Sequence, residues 1–252
     1  MPRLDQILVQ QGIASSRTQA QKLINSDCVE VFAQGAWQLC NKPASQFAEA
    51  PQLRVSSLDE LQFVSRAGLK LQRALAHLSW APLAGTWLDV GQSTGGFTEC
   101  LLHAGASRVV GIEVGRDQLA APLRNHPNVL CLEGINARQL PLHTLHALAP
   151  EGFAGVVMDV SFISQTLIHP ELAKLMPPHC PLLSLVKPQF EAGPAHLGKG
   201  GLVKDVAVYA QVQAKITQSL SDNGFRLHDY FSSAIKGGDG NQEFFVAAYR
   251  SA

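Results

Sequence analysis

From residue 67 onward, short apolar runs alternate with amphipathic stretches. The runs Trp87–Val90, Val109–Val114, Val129–Glu133, Gly155–Val160, Leu182–Lys187 and Phe244–Tyr249 read as strands. Stretches such as Thr98–Ala104, Leu119–Arg124 and Val206–Leu220 lie between them and read as helices. This alternation predicts a mostly parallel sheet with helices on both faces. Residues 1–60 follow another pattern. Leu4, Ile7 and Leu8 fit one face of a short helix that Gly12 stops. Ser15-Ser16-Arg17 reads as the N-cap of a second helix, Thr18 to Asn25, with Ala20, Leu23 and Ile24 on one face. Val29-Glu30-Val31-Phe32 alternates as a strand, and Leu53-Arg54-Val55 is its candidate partner. The expected division is a small α+β module over residues 1–60, a linker over 61–66 that completes a crossing begun at 56, and an α/β domain over 67–252.

Composition adds exclusions. The chain has 252 residues, of which 46% are hydrophobic and 16% charged, enough apolar material for a full core. No apolar run is long enough for a transmembrane helix, and the N-terminus lacks the pattern of a secretory signal. The five cysteines form no CxxC pair and are expected to be reduced thiols in a cytoplasmic protein. The nine histidines show no ligand spacing, so no metal site is expected. Net charge is zero, which speaks against a large phosphate-binding surface.

Candidate chemistry lies at the strand tips. Asp89-Val-Gly91-Gln-Ser93-Thr94-Gly95-Gly96-Phe97 follows the first strand of the larger domain. Such a turn lets a ligand approach the backbone at a helix N-terminus. Its spacing is not GxGxxG, which disfavours a nicotinamide dinucleotide. Glu113 ends the next strand, where an acidic side chain accepts the hydroxyls of an adenosine ribose. These features together suit S-adenosylmethionine. Asp89 is expected to face the donor's cationic amino-acid end, and Asn136 to meet its adenine. Four further residues converge on the same rim by topology. Asp159 and Lys187 end two strands, and Pro188 stops the second. Glu243 begins the last strand, which reaches that rim if it runs antiparallel. Lys70 is expected to open the helix before the first strand.

Several stretches now carry a resemblance. They are Ser65-Arg-Ala-Gly-Leu-Lys70-Leu, Asp89–Thr98, Met158-Asp159-Val-Ser-Phe-Ile-Ser164, Leu185-Val-Lys187-Pro-Gln-Phe-Glu191-Ala-Gly193, Gly198-Lys-Gly-Gly201 and Gly240-Asn-Gln-Glu243-Phe-Phe. Together they resemble the TlyA/hemolysin A family of FtsJ-type RNA methyltransferases, over nearly the whole chain. Residues 3–31 resemble that family's N-terminal RNA-binding domain, the kind also found in a small-subunit ribosomal protein and in pseudouridine synthases. The resemblance implies a Rossmann-like seven-stranded methyltransferase domain behind a small RNA-binding domain. It implies a cytoplasmic RNA (ribose-2′-O)-methyltransferase acting on a ribose 2′-hydroxyl, typically of cytidine in ribosomal RNA or ribosomal subunits. The family's Lys-Asp-Lys-Glu tetrad maps to Lys70, Asp159, Lys187 and Glu243. By that mapping Lys187 orients or deprotonates the hydroxyl, Asp159 and Glu243 hold the lysines, and Lys70 lies near the target phosphate.

Candidate RNA contacts are Arg3, Arg17, Lys22, Arg66, Lys199, Lys204 and Lys236. Phe190 and Phe162 are rings in a position to stack on an extruded base, with core packing the favoured role for Phe162. Two departures from the family pattern carry expectations. Ala67 replaces a glycine and restricts the backbone before Lys70, and Gln92 replaces a small residue and is expected to crowd the donor. Residues 1–60 hold five Lys/Arg against six Asp/Glu, so RNA binding there requires the cations to cluster on one face. Two other functions stay open: methylation of a small hydroxylated metabolite, and a non-catalytic RNA-binding or hemolysin-like protein. Monomer and homodimer are both compatible with the sequence.

Overall fold

The computed structural model describes residues 2–14, 16–25, 28–33, 35–55, 62–203, 205–237 and 240–252. Ser15, residues 56–61 and Lys204, all named above, lie outside the described residues, as does the side chain of Lys199. The chain divides into two compact units, Met1–Leu69 and Lys70–Ala252.

In the first unit, α1 (Leu4–Gln10) and α2 (Arg17–Asn25) precede β1 (Val29–Ala33), β2 (Ala36–Leu39) and β3 (Leu53–Val55). The strands form an antiparallel sheet in the order β2-β1-β3. Leu4, Leu8, Ala20, Leu23, Ile24, Val29 and Val31 build its core, so the one-sided helices and the strand alternation are both realised. Strand β2 has no buried residue, which is why no hydrophobic pattern announces it.

The second unit takes in most of α3 (Arg66–Leu78), followed by β4 (Thr86–Val90), α4 (Gly96–His103), β5 (Arg108–Glu113), α5 (Ala121–Arg124), β6 (Val129–Glu133), α6 (Leu142–Leu148), β7 (Gly155–Met158), α7 (His169–Leu175), β8 (Pro181–Val186), α8 (Pro188–Glu191), α9 (Ala207–Asp222), β9 (Phe225–Ser232) and β10 (Phe244–Arg250). Seven strands form one sheet in the order β6-β5-β4-β7-β8-β10-β9. The five from β4 to β8 pair in parallel, and β10 runs antiparallel to both of its neighbours. Strands β4, β7 and β8 are apolar almost throughout because helices cover both faces. Strand β9 escapes sequence reading: it is an edge strand with three exposed residues running from Arg226 to His228.

Two local expectations change. Lys70 does not open α3: the helix starts at Arg66, and Lys70 falls in its second turn. Ala67 lies inside that helix, where no positive φ is required. The topology positions the site. Successive strands are added on one side of β4, then on the other, so the order switches between β4 and β7. Ligands in open α/β sheets bind beyond the strand tips at such a point.

Helix α7 opens with His169, which is fully buried, and its Nδ1 lies 2.9 Å from Ser219 Oγ of α9. Burial pushes its pKa down to about 4. The folded chain therefore refuses a proton that the unfolded chain accepts. The stabilisation is complete above pH 6.5 and is lost as pH falls towards 4. Over that window the wild type is expected to lose roughly 3 kcal/mol relative to His169→Leu, read as the difference between their urea midpoints. Parallel curves would show that His169 titrates normally.

Candidate active site

The β4–α4 turn is built around two close approaches. Gly91 has φ 85°, and a Cβ there would lie 2.4 Å from the Asp159 carbonyl oxygen. Asp159 N donates to Val90 O at 2.9 Å, so the tips of β4 and β7 touch, and only glycine fits between them. Gly95 has φ 95°, and its Cβ would meet Leu123 Cδ1 at 2.3 Å. Packing within the protein therefore requires glycine at that position.

Glu113 holds the turn from the side. Its Oε2 accepts from Ser93 N and its Oε1 from Gly115 N, both at 2.8 Å. Each carboxylate oxygen keeps a further lone pair. A cavity of about 750 Å³ opens beyond these strand tips, lined by Gly91, Ser93, Glu113, Asn136 and Asp159 among others. These five were expected from sequence. Asp89, Thr94, Gly95, Gly96 and Phe97 do not line it. Phe97 is buried and stacks on Phe245 at 6.4 Å. Gln118 and Arg138 also line the cavity and went unnoticed, since a single polar residue in a loop gives no pattern.

Asp89 is the clearest correction. It does not face the cavity but is fully buried beneath the turn. Gln92 Nε2 donates to Thr98 Oγ1 at 2.7 Å, and Thr98 Oγ1 donates to Asp89 Oδ2 at 2.7 Å. A threonine hydroxyl has one proton. Because Gln92 occupies the oxygen as donor, that proton goes to Asp89. Gln92 therefore does not crowd a ligand. Its side chain fills the space left by Gly111 on β5, where a Cβ would come within 2.0 Å of it.

The four charged residues come together as the topology implied. Lys70 Nζ donates to Glu243 Oε2 at 2.5 Å, and both side chains are nearly buried. Lys187 Nζ lies 2.6 Å from Asp159 Oδ1 in an ion pair outside hydrogen-bond geometry, and it donates to Ser161 Oγ at 2.9 Å. The antiparallel register pairs Phe244 with Val186, which brings Glu243 beside Lys187. Burial raises the Glu243 pKa; Lys70 and then Lys187 oppose this, while Asp159 adds to it. The two ion pairs thus lie within electrostatic reach of each other. Ser161 was not singled out from sequence, although it follows Asp159 by two residues.

Phe162 is not a core residue. It is 90% exposed at the cavity rim with φ 63°, and its ring lies 4.9 Å from that of Phe190. A bulky side chain at positive φ is strained, and such strain concentrates at functional sites.

In the first unit, Asp5 gathers two of the expected RNA contacts. Its carboxylate accepts from Arg3 Nε and Nη2 at 3.1 Å, Arg17 Nη2 at 3.2 Å and Gln21 Nε2 at 2.9 Å. Burial pushes its pKa up, and the bonds from Gln21, Arg17 and Arg3 more than reverse this. Arg3 and Arg17 therefore share one face despite the module's slight acidic excess. Lys22 is half-buried on α2, Arg66 is half-buried at the start of α3, and Lys236 is exposed.

A doubly wound sheet with an antiparallel penultimate strand, and a cavity at its switch point, define the methyltransferase class of α/β folds. N-methyltransferase NodS from Bradyrhizobium japonicum shares the fold with a TM-score of 0.50 at 13% identity, covering 73% of this chain and 96% of its own. The FtsJ-like methyltransferase family matches residues 63–250 and the S4 domain matches residues 2–31, so the chain belongs to the FtsJ-like methyltransferases and carries an S4 domain. The 16S/23S rRNA (cytidine-2′-O)-methyltransferase TlyA of Mycobacterium tuberculosis is 38% identical over 248 residues, covering 97% of this chain and 88% of that protein. Hemolysin A of Brachyspira hyodysenteriae is 34% identical over 97% of this chain and 98% of its own. A solved structure from Streptococcus thermophilus, provisionally named a hemolysin, superposes with a TM-score of 0.74 at 33% identity, covering 99% of this chain and 88% of its own.

Two outcomes follow from this geometry. Burial raises the Asp89 pKa from its ordinary 3.8 to about 7, against the opposing bond from Thr98. The folded chain holds a proton there that the unfolded chain releases, so stability falls as pH rises from about 4 to about 7. Relative to Asp89→Asn, the wild type is expected to lose roughly 4 kcal/mol across that window, measured by urea unfolding at stepped pH. A flat difference would mean that the carboxylate is ionised throughout. Phe162→Gly accepts the positive φ without strain and gives up little buried surface. Its stability is expected to equal or exceed wild type by up to about 1 kcal/mol, while methyl transfer falls. A clear loss of stability would show that the ring serves packing.

Proposed function

We propose that this chain transfers a methyl group from S-adenosylmethionine to a ribose 2′-hydroxyl, that of a cytidine in ribosomal RNA. The observation that carries this reading is the double ion pair Lys70–Glu243 and Lys187–Asp159, of which Asp159 lines the switch-point cavity. A ribose hydroxyl is a poor nucleophile, so the protein must orient it and manage its proton.

The residues present fit the donor. The cavity falls within the roughly 300–1,000 Å³ of small-molecule sites. Glu113 retains lone pairs for a ribose diol, and Gly91 and Ser93 line the cavity beside it. Asn136 Oδ1 accepts from Arg138 N at 3.1 Å, which leaves its amide nitrogen to serve an adenine edge. When bound, S-adenosylmethionine supplies an electrophilic methyl group. Lys187 orients the acceptor hydroxyl and, with Asp159 beside it, manages the departing proton. Ser161 fixes the direction of the lysine. Glu243 keeps Lys70 in place to offset the charge of the neighbouring phosphate. Phe162 offers an exposed ring on which an extruded base can stack.

The S4 unit and its Arg3–Asp5–Arg17 cluster favour RNA over a metabolite. The hemolysin name that two of these similar proteins carry gains no support from a spanning segment: among the described residues no helix is long and apolar enough to cross a membrane. Radiolabelled donor, incubated with ribosomal subunits and with free ribosomal RNA, tests the reading. Label is expected on a ribose 2′-oxygen. Lys187→Ala should lower transfer by about 10²-fold or more, with donor affinity within about twofold of wild type. Full transfer by that variant would overturn the mechanism, and label on no RNA would overturn the substrate.

A further inference from the structure

The loop from Asp159 to Gln165 carries three groups of the site in seven residues: the Asp159 carboxylate, the Ser161 hydroxyl that receives Lys187, and the exposed ring of Phe162. Its backbone is strained at Phe162, and a strained residue persists only where its surroundings hold it from both sides. Before Phe162, the hold is Ser161 Oγ on Lys187. After it, the hold is Glu191. Ser164 Oγ donates to Glu191 Oε2 at 2.5 Å, and Gln165 N donates to Oε1 at 2.8 Å.

Glu191 lies in α8, the short helix that starts directly after Lys187. Its carboxylate is almost wholly buried. Lys215 of α9 fixes it by donating from Nζ to Oε2 at 3.0 Å and to the Glu191 carbonyl oxygen at 2.9 Å. One buried carboxylate thus joins the loop that bears Asp159 and Phe162 to the segment that bears Lys187. None of its contacts reaches the donor cavity's glycine turn.

We propose that Glu191 is a positioning residue for the methyl acceptor: it clamps the Ser161–Gln165 loop so that Phe162 and Ser161 are held ready for the target nucleotide. The role rests on the function proposed above. Residues Asp159 to Ser164 also line the donor cavity, so loosening the loop weakens donor binding slightly and turnover much more.

Glu191→Gln is the informative change. It keeps the shape but turns one acceptor into a donor, which then opposes Ser164 Oγ–H or Gln165 N–H and no longer pairs with Lys215. The expected result is a kcat lowered about tenfold, since small misplacements of reacting groups carry costs of this order. The dissociation constant for S-adenosylmethionine rises by no more than about threefold, because Ser93 and Gly115 keep their bonds to Glu113. Hydrogen exchange at the Gln165 amide rises about tenfold, while the Ser93 and Gly115 amides are unchanged. In a Phe162→Ala background the same change is expected to lower kcat by less than about twofold, because both residues act through one loop. Unchanged turnover, full additivity with Phe162→Ala, or faster exchange throughout the sheet would each overturn the proposal. Should Glu191→Gln fail to fold, Ser164→Ala removes one bond of the clamp and is expected to show the same pattern at smaller size; no effect of that variant on loop exchange or turnover would equally overturn it. The exchange measurement uses no RNA. A wild type that methylates no ribosomal RNA would thus defeat the proposed function, and the exchange comparison would still decide whether Glu191 clamps the loop.

Discussion

The site depends on one steric constraint, the contact between the tips of β4 and β7. These strands are neighbours in space but far apart in sequence, because the chain finishes one side of the sheet before beginning the other. Asp159 N bonds Val90 O, and the Asp159 carbonyl then stands where any side chain at position 91 would go. Glycine at 91 is the solution, and it turns the chain out of the sheet. Glu113 can then capture Ser93 N, α4 can start at Gly96, and Asp159 can project from β7 toward Lys187. A larger residue at 91 would push apart the two strands whose separation sets both the donor cavity and one half of the ion-pair cluster.

The charges at this edge are arranged for position more than for stability. Burying ions costs free energy that pairing only partly offsets. The Lys70–Glu243 pair is nearly inaccessible to water, and burial is the largest influence on the Glu243 carboxyl. Lys187 of the second pair also reaches Glu243 and offsets part of that cost, while Asp159 adds to it. The arrangement holds two ammonium groups beside two carboxylates at one edge of the sheet. Asp89 follows a different logic. It lies inside the fold, takes its hydrogen bond from Thr98, and helps build the turn without facing the cavity.

Much of this was legible in sequence, for identifiable reasons. The strands of the parallel sheet announced themselves because both faces are covered and their residues are almost all apolar. Lys187 and Asp159 were legible as rim residues because a strand ends where the apolar run meets a charge, and Pro188 confirms one of those ends. Glu113 followed from its place at the end of the next strand. What stayed hidden depends on tertiary contacts. Phe162 has the composition of a core residue, and only its backbone conformation puts it outside. Gln92 seemed to point at a ligand because nothing in sequence shows that Gly111, nineteen residues on, leaves it a space. The burial of Asp89 was likewise hidden, because it depends on the contact with Thr98 nine residues on. Strands β2 and β9 escaped because exposed edge strands have no apolar face to read.

The charge balance of the first unit shows how a count misleads. In residues 1–60, five cations against six anions suggest a poor partner for RNA. Asp5, however, is spent inside the unit on Arg3, Arg17 and Gln21, and Glu30 pairs with Arg54 at 2.6 Å. An acidic residue buried under two arginines does not repel a phosphate as a free one would. It fixes the guanidinium groups side by side and leaves their remaining N–H donors outward, and a guanidinium has five to give. Recognition of a phosphate depends on donors held in place within a few ångströms, since charges beyond a Debye length of about 8–10 Å are screened. A module with a small acidic excess can therefore present a local basic face, and the buried anion is the part that makes the face rigid.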